Sequence, residues 1–228
     1  MPILGPPAAD HEETQVRDLY YGSFARFDTP SKKDAAQLLG ADNLVGDVFE
    51  IEFRTEGGQR VAWMRNRFGA LVGFFGQEAS RQLSLCEARG WRLHAILSFV
   101  AYSESPEPGH YWGESALVCF DPAESGPFDV FLAGIAGRMA EGARPDIGLG
   151  GQGVAKVLES KGSWSPTRLV PLPPREQGTA FVKTRRSVSE KLIEQARKRN
   201  KGCYLVSWLF LLAVVAGILF GLKACGVF

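Results

Sequence analysis

Arg54, Arg60, Trp63, Arg65 and Arg67 fall within the stretch FRTEGGQRVAWMRNRF, with Phe68, Phe74 and Phe75 at its end or just beyond. Guanidinium groups beside aromatic rings are what a single nucleic-acid strand needs, the cations for phosphate and the rings for stacking bases. The same residues would equally serve as an edge solvated by arginines over a partly buried aromatic core. A second grouping is GLGGQG, where Gly148, Gly150 and Gly153 have the spacing of a loop that lets pyrophosphate approach the positive end of a helix. The preceding EGARPDI lacks the alternation of a strand and no well-placed ribose-binding acid is evident, so the loop reads as a turn opening a helix, with a nucleotide-binding enzyme as the most distant alternative. His110 and Glu114, in GHYWGES, are a conceivable acid-base pair, but no nucleophile, metal-ligand set or orienting group accompanies them. The serine of that segment is not in a GxSxG setting. These residues favour binding over catalysis, and neither a cofactor nor a metal is expected.

Composition narrows the choice. The chain has 228 residues, 26 basic and 25 acidic, but the charge is unevenly spread. Eight cations against two acids lie between Lys183 and Lys201, which leaves the preceding body with a net charge of −6. An acidic body argues against a protein that coats nucleic acid non-specifically. Cys86, Cys119, Cys203 and Cys225 show no CxxC spacing; the first two read as small core residues, and the last two flank the final apolar stretch, where acylation is conceivable.

The elements that would hold these residues alternate between strand and helix chemistry. PSKKDAAQLLG reads as a short helix ended by Gly40. In GDVFEIEFR, Val48, Glu50 and Glu52 alternate with Phe49, Ile51 and Phe53, and QRVAWMRN follows after Gly57 and Gly58, the pattern of a hairpin. FGALVGFF should join the same sheet. QEASRQLSLCEARGW then changes period, with Ala79, Leu83 and Cys86 on one helical face and Gly90 as its stop. WRLHAILSFVAYS and HYWGESALVCFD make two longer antiparallel strands, because the short link between them cannot build a parallel crossover. FDVFLAGIAGRMAEG and GVAKVLESKGSW read as helices, and RLVPLPPREQGTAFVK as an extended connection ending in a short strand. The expected class is α+β, a small antiparallel, mostly β domain with two to four helices over residues 31–165. Before it lies a partly flexible segment, 1–30, and after it a Pro-rich connection, 166–186.

Residues 60–104, which contain RVAWMRNRFGALVGFFGQEASRQLSLCEARGWRLHAILSFVAYS, resemble the second half of the HIRAN domain, where a strand-to-helix element of the form "vGyl…a..L" recurs. The Asn-Pro-Tyr-Asp-like stretch that precedes this element in the family is absent, and FRTEGGQ stands in its place. The resemblance implies a small β-rich module that recognises DNA ends, notably single-stranded 3′ ends.

The end of the chain carries the clearest signal. From Cys203 to Leu222 no side chain is charged, and twenty residues in a helix span roughly 30 Å, the thickness of a hydrocarbon core. Tyr204, Trp208 and Lys223 stand where interfacial rings and a snorkelling ammonium belong. The cations on the near side predict that this side is cytoplasmic, giving a tail-anchored, single-pass membrane protein whose N-terminal domain faces the cytoplasm and whose C-terminus lies across the bilayer. Arg185, Arg186, Arg197, Lys198, Arg199 and Lys201, in or near a basic juxtamembrane helix over 187–201, would meet the membrane surface. Ala213, Gly217 and Gly221 form a ridge of small residues through which spans could self-associate. The expected partners are the lipid bilayer and a protein, whether a different one or a second copy, with nucleic acid as the alternative. The reading that unites these features is a non-catalytic interaction or scaffolding module held at a membrane.

Overall fold

The computed structural model describes residues 19–187, 189 and 190. The chain divides into two compact units, the first ending at Arg186 and the second beginning at Ser187. The first contains β1 (Tyr20–Asp28), α1 (Lys32–Leu39), β2 (Val48–Glu56), β3 (Gln59–Arg65), β4 (Leu71–Phe75) and α2 (Gln77–Ala88). These are followed by β5 (Arg92–Ser103), β6 (His110–Phe120), a 3-10 turn at Pro122–Glu124, α3 (Ser125–Ala140), α4 (Gly151–Glu159) and β7 (Thr179–Lys183).

Among the described residues every strand pairing is antiparallel, in the order β2-β3-β4-β1-β6-β5-β7. The sheet also meets itself: Val48, Phe49 and Glu50 of β2 pair with Ile96, Ala95 and His94 of β5, closing a six-stranded barrel. This pairing covers stretches of β2 and β5 that would otherwise stand as open edges. At Leu97 to Phe99, β5 carries a register shift. Beyond it β5 leaves β2 and takes β7 as its neighbour, so one long strand serves two partners.

Alternation explains the packing. Phe49, Ile51 and Phe53 of β2 turn inward, while Glu50 and Glu52 turn outward onto arginines. Inside the barrel Phe27, Phe49, Met64, Phe75, Leu97 and Leu117 are buried, and α2 adds Leu83 and Cys86. The stop for α2 is Gly90, at φ 76°, a backbone region that favours glycine. There the amide of Trp91 donates to the Cys86 carbonyl at 3.2 Å. A second core lies on the outer face, where Phe128, Phe131 and Ile135 of α3 and Val154 and Val157 of α4 cover Tyr20, Val118 and Phe120. Tyr20 stacks on Phe128 at 5.3 Å and donates its hydroxyl to the Ile147 carbonyl at 3.0 Å.

The mostly antiparallel β architecture with several helices matches the expected class, but the boundaries differ. The domain starts at Tyr20, inside the segment 1–30 that was expected to be partly flexible, and β1 sits centrally between β4 and β6. It also extends beyond residue 165. The Pro-rich stretch lies on the domain through a bridge between Pro145 and Leu169 and a bond from the Val170 amide to the Arg144 carbonyl at 2.8 Å. Among the described residues no helix is long and apolar enough to cross a membrane, and the span 203–222 lies outside them.

Candidate functional site

The β2–β3 hairpin divides the five residues predicted for nucleic acid. Its register sets Arg65 against Glu50, Trp63 against Glu52 and Arg54 against Val61, so Arg54, Trp63 and Arg65 share the outer face. Acids occupy that face too. Arg54 pairs with Glu52 at 3.1 Å, and Arg65 with Glu50 at 2.6 Å and Glu52 at 3.7 Å. Trp63 is buried, tilted against Phe74 at 5.2 Å, and its indole N–H donates to Glu56 at 2.8 Å. Arg60 falls on the opposite face, where it pairs with Glu87 of α2 and lies 4.1 Å over the Phe53 ring. Arg67 lies beyond the strand, in the β3–β4 turn, with its guanidinium 5.0 Å over the exposed ring of Phe68. That turn is shaped by Asn66, whose side-chain oxygen accepts from the amides of Phe68 and Ala70 at 3.0 and 2.9 Å.

The two other motifs are separated or occupied. His110 and Glu114 lie four residues apart on β6, roughly 13 Å along the strand. The Nε2 of His110 faces Arg26 at 3.5 Å, and the Glu114 carboxylate is taken by Arg144. GLGGQG does open α4, but no strand precedes it: the chain before it is irregular apart from the Pro145 bridge. The carboxylate of Asp146 accepts the Gly148 amide at 3.1 Å, placing a negative charge at the mouth of a loop that would have to receive phosphate. Among the described residues no group of three acidic, histidine or cysteine side chains is placed to hold a metal.

The beginning of the basic segment turns inward. Lys183 donates to the carbonyls of Leu38, Gly40 and Asn43 at 3.2, 2.9 and 3.3 Å, and Arg186 pairs with Asp47 at 2.9 Å and donates to the Val45 carbonyl at 2.7 Å. Arg186, expected at the membrane surface, is thereby committed to the domain, whereas Arg185 is exposed. Arg197, Lys198, Arg199, Lys201, Ala213, Gly217 and Gly221 lie outside the described residues, as do Cys203 and Cys225. Cys86 and Cys119 are free and buried, as expected of core residues. A hydrogen bond with the Cys86 sulfur, together with burial, pushes the Cys119 thiol far above its ordinary value.

Sequence reasoning missed one open space. It lies between β1 and the start of α2, a cavity of about 440 Å³ lined by Tyr21, Ser23 and Ala25 on one side and by Gln77, Glu78 and Gln82 on the other. A second cavity of about 330 Å³ continues along α2 towards Leu85, Cys86 and Trp91, and shares Tyr21 and Gln82 with the first. The signal that could have found it is YYGSFARFD, an aromatic-rich run bounded by Thr29-Pro30.

Comparison with family models, with curated proteins and with solved structures finds no match to this chain.

Proposed function

We propose that the chain is a tail-anchored, single-span membrane protein whose barrel is a non-catalytic interaction module. The observation that carries the reading is the junction at Arg186. There a compact domain ends on an ion pair with Asp47, and a basic stretch then leads to the uncharged segment 203–222. Such a segment satisfies its backbone as a helix in hydrocarbon, and the cations before it favour the cytoplasmic side. The groove beside β1 supports the interaction part of the reading, since it offers backbone groups and apolar surface to a partner.

The test is synthesis of the full chain with microsomes after adding an Asn-Gly-Thr acceptor to its C-terminus. The expected result is glycosylation of the acceptor, retention of the chain after alkaline carbonate, and digestion of the barrel by protease added outside. Release by carbonate excludes the anchor. Glycosylation without protease sensitivity excludes the orientation.

The alternative is a HIRAN-like nucleic-acid module at the membrane. Arg67 and the exposed Phe68 support it; the glutamates facing Arg54, Arg60 and Arg65 weigh against it. Anisotropy with a labelled 3′-overhang oligonucleotide at low and moderate salt separates the two readings. End-selective, salt-sensitive binding reduced by Arg67→Ala supports nucleic acid, and absence of binding at low salt removes it.

A further inference from the structure

The pairing of β1 is lopsided. Along one edge all nine of its residues pair with β6; along the other only Phe27 and Asp28 pair, with Phe75 and Phe74 of β4. β4 ends there, and the chain turns at Gly76 into α2, so the barrel is split from Arg26 back to Tyr20. The backbone direction along the split follows from the two hydrogen bonds that flank β1. The Thr29 amide donates to the Tyr111 carbonyl at 3.3 Å, and the Leu19 carbonyl accepts from the Asp121 amide at 3.0 Å. Odd-numbered residues therefore face β6, and with the two-residue period of a strand the N–H and C=O groups of Tyr20, Gly22, Phe24 and Arg26 face the split. No strand pairs with these four on that side among the described residues. At this row the Ser23 hydroxyl lies 3.3 Å from the Phe24 carbonyl.

The two cavities between β1 and α2 run along this row as one groove, because Tyr21 and Gln82 line both. Its β1 wall, seven residues, is about 23 Å long, and its α2 wall, twelve residues, about 18 Å. Leu85, 53% exposed, projects at the groove while its helix neighbours Leu83 and Cys86 are buried.

We propose that this groove binds an extended polypeptide segment of a protein partner, which adds to β1 as a strand between β1 and α2. The proposal rests on the interaction-module reading and names its site and ligand class. Donors and acceptors that repeat every two residues, about 6.7 Å, match the backbone of an extended peptide in register. A DNA phosphodiester backbone offers acceptors alone and cannot satisfy the carbonyls of the row. The groove also sets the partner's side chains. Alternate residues point to the Tyr21, Ala25 and Trp91 floor and should be apolar, and those between them point away and are free to be polar.

The test uses the full chain in detergent micelles, panned against a display library of random linear peptides, with the enriched peptides resynthesised for anisotropy. Apolar residues are expected at every second position. Gln82→Trp, which fills both cavities, should weaken binding at least about tenfold. N-methylating the peptide backbone one residue at a time should abolish binding at one alternate set and spare the other, a pattern independent of how any protein variant folds. Failure to enrich peptides overturns the proposal, as does a methylation profile without alternation. Binding unchanged by Gln82→Trp places the peptide elsewhere, which overturns the groove but leaves an interaction module. Competition by a single-stranded oligonucleotide assigns the groove to nucleic acid, and tighter peptide binding after deletion of residues 1–18 assigns it to the chain's own N-terminal segment. Either outcome overturns a partner peptide. Membrane insertion is read separately by the microsome experiment, so a failed anchor and a failed groove are distinguishable.

Discussion

The guanidinium of Arg144 pairs with the carboxylate of Glu114 on the outer face of the barrel, with its Cζ 4.5 Å from the ring centre of Phe24 and 5.3 Å from that of Phe99. It also donates to the Pro171 carbonyl at 3.0 Å, so one side chain ties the Pro-rich connection to the sheet. Arg144 is 6% exposed, and burial lowers its pKa against the pull of Glu114. Two aromatic faces and one carboxylate offset the cost of desolvating the cation.

Arg144→Ala should therefore cost about 3 to 5 kcal/mol, because Glu114 is left without its cation and the aromatic faces lose their contact. Replacing both residues, Arg144→Met with Glu114→Leu, should cost distinctly less. Urea unfolding of the single and double variants measures the difference. Equal losses would mean that the pair does not act as a unit.

His94 gives stability a dependence on pH. Its ring stacks on Phe120 at 5.7 Å and neither ring nitrogen has a hydrogen-bond partner among the described residues. Burial pulls its pKa below the ordinary 6.5, opposed by Asp129 and Glu50 and reinforced by Arg92. Below pH 6.5 the unfolded chain accepts a proton that the folded chain resists. Stability is thus full above that pH and falls as pH drops towards the folded-state value, with a slope of at most about 1.4 kcal/mol per pH unit. His94→Phe should flatten this part of a thermal-melting profile. An unchanged slope would assign it to other groups.

The ring of Phe27 is set between two glycines. A methyl group at Gly73 would lie 2.7 Å from it, and one at Gly113 would lie 2.7 Å from it and 2.3 Å from the Phe99 carbonyl. Gly73→Ala and Gly113→Ala should each destabilise by about 1 to 3 kcal/mol. Adding Phe27→Leu should relieve the first but not the second, since the Phe99 carbonyl cannot withdraw from the β5–β6 ladder. Melting temperatures of the two double variants decide this.

Removing the Arg186 side chain should loosen the end of the domain without unfolding it. Asp47 still accepts the Leu44 amide at 2.8 Å, and Lys183 still holds three carbonyls. Arg186→Ala should raise hydrogen exchange in β7 while the barrel strands β1 and β6 keep their protection. Loss of protection throughout would give Arg186 a global role.

Local pattern made much of this fold legible. The β2–β3 hairpin, the face of α2 with Leu83 and Cys86, the long β5–β6 pair and the terminal strand TAFVK all follow from spacing and turn residues. β1 did not, because both its faces are covered: Tyr21 and Ala25 pack inward and Tyr20 and Phe24 pack under the helices, which erases polar alternation. Barrel closure through Val48 and Ile96 joins distant segments and leaves no local mark. The candidate site was legible in part. Residue types located the arginines, but only the register reveals that Arg60 lies on the other face from Arg65 and that each meets a glutamate. For the same reason Arg186 read as a surface charge, since its partner Asp47 is remote in sequence.

The fastening at Arg186 has a mechanical meaning. Tension applied to the chain beyond it first strains the contact with Asp47, then the ammonium of Lys183 against its three carbonyls, and only then the short ladder of β7 on β5. β7 lies outside the closed ring of six strands, so peeling it leaves the ring intact. Peeling β7 would thus lengthen the chain without breaking any pairing of the six-stranded ring that contains β1.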